Sequence, residues 1–164
     1  MEIDVKRQYD KAKPLLETAL EIAGYLFDEE YPVVLKCNNY LGILQREQQH
    51  YDEAESLFLQ VIEDTWRKLV QEHPACFESM HELSVLYMKQ ELYEKSEPLL
   101  IQALEGRRLK LGDTHPHTLE SWNHLIELYE AWNKLEKAEE WRAKLSKWEA
   151  VEERHNKRKV TSFQ

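Results

Sequence analysis

The chain has 164 residues, enough for one domain of ordinary size, with 42% hydrophobic and 32% charged residues but only four Gly and five Pro. So few turn-forming residues exclude an all-β architecture built on many tight hairpins and point to long amphipathic helices. The net charge of −9 is uneven, because Arg154, Lys157, Arg158 and Lys159 follow the last acid, Glu153, and the body before them is too acidic to take a nucleic-acid backbone as its partner.

Taken in chain order, the segments repeat. Tyr9-Asp10-Lys11-Ala12-Lys13 opens the first predicted helix, at about 5–28. Tyr31-Pro32 then starts a second, at about 32–48, in which Asn38, Leu41 and Leu44 share a face. Tyr51-Asp52-Glu53-Ala54-Glu55, 42 residues after Tyr9, opens a third at about 51–71, with Ala54, Leu57, Phe58 and Val61 on one face. His73-Pro74 begins the fourth (74–90) and recurs 42 residues on as His115-Pro116 at the sixth (116–132), carrying Leu83 and Leu86, then Leu125 and Leu128, in the register of Leu41 and Leu44. Tyr93-Glu94-Lys95-Ser96-Glu97 and Leu135-Glu136-Lys137-Ala138-Glu139 open the fifth (93–111) and seventh (134–153). Pro32, Pro74 and Pro116 fit first turns, where a missing N–H costs nothing, and Pro14 and Pro98 are expected in first turns of the other helix type. Asp113 and Thr114 offer capping oxygens for the sixth helix.

A period of 42 with two helices in each copy predicts a solenoid. The domain runs over 1–153 as a leader helix and units 32–71, 74–111 and 116–153, followed by a basic tail, 154–164. Leu41-Gly42, Ala54-x-x-x-Phe58 and Trp122-x-x-Leu125-x-x-x-Tyr129 with Ala138 resemble the tetratricopeptide repeat, and the extra length with Leu111-Gly112-Asp113-Thr114-His115-Pro116 is similar to its kinesin-light-chain type. A HEAT or armadillo solenoid has a similar period but does not account for the Leu-Gly and Ala-x-x-x-Phe pair. Gln45 in the place of Tyr87 and Tyr129, Ser84 and Ile126 in that of Gly42, and Ser96 in that of Ala54 mark a degenerate array. The resemblance implies an all-α, right-handed solenoid of antiparallel helix pairs, about seven helices in all, with first-type helices on the concave face.

With Leu41 and Leu44 inward, the groove-facing stripe is expected at Lys36, Asn39, Ile43, Arg46 and Glu47, then Glu78, His81, Val85, Met88 and Lys89, then Glu120, Asn123, Glu127, Glu130 and Ala131. The resemblance implies a peptide-binding groove in which Asn39 and Asn123 act as amide clamps on a ligand backbone, with His81 in the middle place. Lys36 and Arg46 at one end and Glu120, Glu127 and Glu130 at the other predict a ligand that is acidic toward the first pair and basic toward the third. A carboxylate-clamp groove is disfavoured, since the third first-type helix supplies Glu120 and Asn123 in place of cations.

Enzyme chemistry finds no support. The seven histidines include a His-x-His, His115 and His117, but no metal-ligand spacing, and scattered Gly24, Gly42, Gly106 and Gly112 make no phosphate loop. Cys37 and Cys76 read as small core residues in a reducing compartment. Trp122, Trp132 and Trp141 read as core and end packing, with Trp148 exposed. No cofactor or metal is expected. No stretch of 18 apolar residues or signal-peptide pattern is present, so a cytoplasmic chain without membrane insertion is expected. The expected function is a protein–protein adaptor; the alternative is a regulatory or self-association arm of a larger signalling kinase or NTPase. Self-association would use the leader, whose Ala12, Leu15, Leu16, Ala19 and Ala23 lack a first-type partner on one side.

Overall fold

The computed structural model describes residues 2–26, 32–68 and 73–161. Seven helices follow one another: α1 (Glu2–Leu26), α2 (Pro32–Glu47), α3 (Tyr51–Lys68), α4 (Pro74–Lys89), α5 (Tyr93–Leu111), α6 (Pro116–Ala131) and α7 (Leu135–Thr161). No strand occurs among the described residues. Each helix packs on the next in sequence. In addition the backbones of α2 and α4, and of α4 and α6, approach closely, while those of α3 and α5, and of α5 and α7, do not among the described residues, where only side chains such as Lys137 and Glu97 meet. First-type helices are therefore drawn closer together than second-type ones, which curves the stack and puts α2, α4 and α6 on its inner side.

The repeat register is the packing register. Leu83, Leu86, Leu125 and Leu128 are at most 1% exposed, and Ala54, Ser96 and Ala138 are fully buried where α3, α5 and α7 begin. Gly42 exists because Phe58 lies on it: a Cβ there would sit 2.6 Å from the ring. In the second unit the same pair of positions holds Ser84 and Leu100, and Ser96 Oγ donates to the Ser84 carbonyl at 2.9 Å. Tyr87 and Tyr129 each donate to a glutamate one helix back, Glu55 at 2.6 Å and Glu97 at 2.5 Å. In the first unit the glutamate's place is held by Lys13 and the tyrosine's by Gln45, whose Oε1 lies 3.0 Å from His50 Nδ1.

The two turn types have separate chemistry. His73 and His115 are the N-caps of α4 and α6, each with Nδ1 accepting from the backbone N–H two residues on at 3.2 Å. This replaces the expected Asp113-Thr114 cap: Asp113 instead pairs with Arg108 at 2.5 Å, and Thr118 Oγ1 donates to the Gly112 carbonyl at 2.8 Å. Within each pair the first helix ends in a Schellman turn. Gln49, Glu91 and Asn133, 42 apart, have φ of 65°, 60° and 58°. His50, Leu92 and Lys134 N–H bond back to the carbonyls of Gln45, Tyr87 and Tyr129 at 2.9, 2.8 and 2.8 Å. None of the three is the glycine that usually marks such a turn, so it is invisible by composition.

Other expectations are corrected. Pro98 is the sixth residue of α5 and Pro14 is central in α1, neither in a first turn; both are exposed, so water can satisfy the carbonyl each leaves unbonded. The helix that opens at Leu135 runs on to Thr161, past the expected end at 153, with no Gly or Pro to stop it. Trp148 is half-buried. The last turn expected for the first helix, up to 28, and that for the third, up to 71, lie outside the described residues. On α1, Ala23 is buried while Leu15 and Ile22 are 71% and 54% exposed; Leu57 and Leu99, in the register of Leu15, are half-buried.

Candidate functional site

Two seams join the three inner helices. Between α2 and α4, Ser79 Oγ donates to Asn39 Oδ1, leaving the buried Asn39 Nδ2 without a partner. One helical turn further, Arg46 Nη1 meets Glu82 Oε2 at 2.6 Å and Nε meets Glu47 at 3.1 Å. Between α4 and α6 the same register holds different groups. His81 Nδ1 lies 3.0 Å from Ser121 Oγ and its Nε2 lies 3.1 Å from His124 Nδ1. Arg107, from α5, donates to Ser121 Oγ at 2.7 Å and to the His117 carbonyl at 2.8 Å. Burial above all, then the positive charges of Arg107, His124 and Arg46, push the His81 pKa down to about 2, so the ring is neutral. A neutral imidazole can donate at one nitrogen and accept at the other, which is what a link between Ser121 and His124 needs.

What is left facing the inside of the curve is a narrow stripe in rows 42 residues apart. Lys36, Glu78 and Glu120 form the first row; Tyr40, Glu82 and His124 the second; Ile43, Val85 and Glu127 the third; Glu47, Lys89 and Ala131 the fourth. Tyr40 is 49% exposed and Val33, about two turns before it on the same face, 42%. Lys89 reaches Glu47 at 3.4 Å. Burial first, and then the neighbouring charge of Glu82, hold the Glu78 carboxyl above the usual carboxylate range. Among the described residues no group of three His, Cys, Asp or Glu side chains is placed to hold a metal ion.

The tetratricopeptide repeat family matches residues 5–64 and 76–143, well over half of the chain. The chain is a tetratricopeptide repeat protein. Its repeats are of the kinesin-light-chain type: it is similar to a Podosopora anserina chain described as a kinesin light chain with nearly identical TPR-like repeats, at 25% identity and a TM-score of 0.75, covering 90% of this chain and 73% of that one. A single-substitution variant of that protein gives 27% identity and a TM-score of 0.70, over 90% and 69% of the two chains. BtubC (BKLC) from P. vanneervenii shares the fold, with a TM-score of 0.77 at 22% identity; this chain is covered to 89% and spans 58% of the length of BtubC. Among curated protein sequences none matches.

Within this tetratricopeptide geometry the positions of the expected stripe differ in exposure. Lys36, Glu120, Asn123, Glu127 and Glu130 are exposed, and Ile43, Glu78, Val85 and Met88 are half-buried. Asn39, His81 and Arg46 are buried, at 0%, 1% and 8% exposure. Asn39 and His81 are seam residues, and neither offers its polar atoms to a ligand in this arrangement. Met88 packs beside the Trp122–Tyr129 cluster. Glu130 is paired with Arg142 of α7. The residues missed were Tyr40, Glu82 and His124 in the groove and Ser79, Arg107 and Ser121 behind it. A signal existed for the first three, because Tyr40, Glu82 and His124 are 42 apart and fall one position past the Asn39 register. None existed for Arg107, which reaches the seam from a second-type helix.

Proposed function

We propose that the concave face of α2, α4 and α6 binds a peptide or helical segment of a partner protein, making the chain a non-catalytic adaptor. Tetratricopeptide repeats are protein-interaction scaffolds in general; the finer reading rests on Val33 and Tyr40, large apolar side chains 42% and 49% exposed on the inner helix α2. On an inner surface such side chains lose water on two sides when a segment lies along the curve, where burial is worth roughly 25 cal/mol for each Å² of apolar area. Asn123, exposed on α6, keeps the role of amide clamp.

The test is affinity capture of partners with the wild type, Tyr40→Ala, Asn123→Ala and Asn39→Ala. Loss of partners is expected with Tyr40→Ala and Asn123→Ala at unchanged melting temperature, whereas Asn39→Ala lowers melting and affects capture only through stability. An identical partner set with Tyr40→Ala and Asn123→Ala refutes the concave site.

A further inference from the structure

The inner face is chemically lopsided. Its three helices carry six carboxylates (Glu47, Glu78, Glu82, Glu120, Glu127 and Glu130) against three cations (Lys36, Arg46 and Lys89). Pairing occupies two of those cations and two of the carboxylates, Arg46 with Glu82 and Glu47 and Lys89 with Glu47, while Arg142 of α7 holds Glu130, so the carboxylates left without such a partner on these three helices are Glu78, Glu120 and Glu127. The basic end expected at α2 is thus largely neutralised. On the far side, Glu127 is 59% exposed in its side chain and meets only the His124 ring, at 3.9 Å. Glu120, 46% exposed in its side chain, has Arg107 at 3.6 Å, His117 at 3.4 Å and the His81 ring at 3.9 Å, all at Oε2. Glu78 sits between Lys36 and Glu120 in its row with its carboxyl held high by burial and by Glu82. The apolar groups, in contrast, gather at α2 and end at Val85: Val33, Tyr40 and Ile43 have no apolar counterpart on α6, where the same places hold His117, His124 and Glu127.

We infer that the groove selects a cationic segment with an apolar anchor, the anchor resting on Tyr40, Ile43 and Val85 and the Lys or Arg side chains lying over Glu78, Glu120 and Glu127. This rests on the concave-site reading and deepens it by fixing the chemistry and polarity of the ligand. An acidic segment is rejected because it would meet three carboxylates with no free cation beyond α2, and like charges brought together across an interface are strongly unfavourable. The spacing follows from the helices. Neighbouring axes lie about 8–10 Å apart, so α2 and α6 are separated by roughly 16–20 Å across the groove. An extended chain advances about 3.3 Å per residue, which places the cations some five or six residues from the anchor.

The probes are fluorescein-labelled synthetic peptides, made in both chain directions: one with a single Trp, a neutral spacer of about five residues and a Lys-Arg-Lys cluster; one with the cluster replaced by three Glu; one with the Trp replaced by Ser. Anisotropy titration is expected to show the Trp-basic peptide binding at least about tenfold more tightly than the other two, with affinity falling as salt rises. Glu120→Gln/Glu127→Gln is expected to weaken it at least about fivefold, with Glu127→Gln alone, whose side chain is exposed, giving part of that loss at an unchanged melting curve; Tyr40→Ala is expected to weaken it by a similar factor. Equal or tighter binding of the Trp-acidic peptide at a Tyr40-dependent site overturns the ligand class and leaves the concave site standing. Binding of the Trp-basic peptide that neither Tyr40→Ala nor Glu120→Gln/Glu127→Gln alters overturns both. Absence of binding by the Trp-basic peptide overturns the ligand class, and partner capture then decides the concave site separately.

Discussion

The α2/α4 and α4/α6 seams occupy one register and solve one problem in two ways. Each must join two helices that run side by side in the same direction and differ by one repeat. The first does it with a buried ion pair, Arg46–Glu82, and an Asn39–Ser79 bond. The second has Met88 where the first has Arg46 and His124 where it has Glu82, and relies on His81, Ser121 and an arginine borrowed from α5. The difference shows that the solenoid fixes the place of a polar contact but not its chemistry. A polar residue in this position therefore says little about ligand binding: Asn39 and Asn123 share a register, yet one is sealed and the other is open.

The largest expected effect comes from breaking the charged seam. Glu82→Ala leaves the Arg46 guanidinium, 9% exposed in its side chain, with Glu47 as its one carboxylate and the backbone carbonyl of residue 82, and about 3 kcal/mol should be lost in urea unfolding. His124→Ala, at the same place in the other seam, removes a contact with the neutral His81 ring and should cost only about 1 kcal/mol. Copying the second seam into the first, Arg46→Met with Glu82→His, should recover most of the loss, because a well-packed apolar replacement for a buried ion pair is often nearly neutral. Equal losses for Glu82→Ala and His124→Ala would show that the two seams are energetically alike.

The core pairs give the next effect. Gly42→Ala drives a methyl group into Phe58 and should cost about 1–3 kcal/mol. Phe58→Leu in the same chain imitates the Ser84 and Leu100 pair of the second unit and should restore part of it. If Gly42→Ala melts like the wild type, the close approach seen here is not tight.

His81 distinguishes the seams by pH. Its folded pKa, near 2, lies below the unfolded value near 6.5, so the unfolded chain binds a proton that the folded chain refuses between those limits. Its contribution is fully present above pH 6.5 and declines as pH falls below it, by up to about 1.4 kcal/mol for each unit. His81→Asn, which copies Asn39, should flatten the stability profile between pH 6.5 and 4.5 while lowering stability at pH 7.5. An unchanged profile in chemical unfolding would place the acid sensitivity elsewhere.

The smallest expected change is a gain. Glu91→Gly relieves a positive φ in a Schellman turn and should stabilise by about 0.5–1 kcal/mol. Asn133→Gly should gain less, as Asn tolerates this conformation well. Similar thermal shifts for both would contradict that ranking.

Much of the fold was legible because a repeat writes the same packing several times. Leu83, Leu86, Leu125 and Leu128, Ala54 with Ala138, and the Gly42–Phe58 pair announce their neighbours through spacing alone. The groove was legible only to within one helical step. The middle first-type helix, α4, is covered by its partner α5, by the preceding α3 and by α2 and α6, and the contacts with α2 and α6 use Asn, Ser, His and Arg, side chains that in a sequence look solvated. The Schellman turns were hidden because Gln49 and Glu91 adopt a glycine's conformation, and the histidine caps because His is an uncommon capping residue beside Asp113 and Thr114.

The sequence by itself determined the period and the seven helices, since these depend on residue types at fixed intervals. Only the tertiary structure decided which polar residues are free. Rotating a helix by the 100° between Asn39 and Tyr40 exchanges seam for groove without moving any position of the repeat, and that rotation is set by how close the inner helices approach one another.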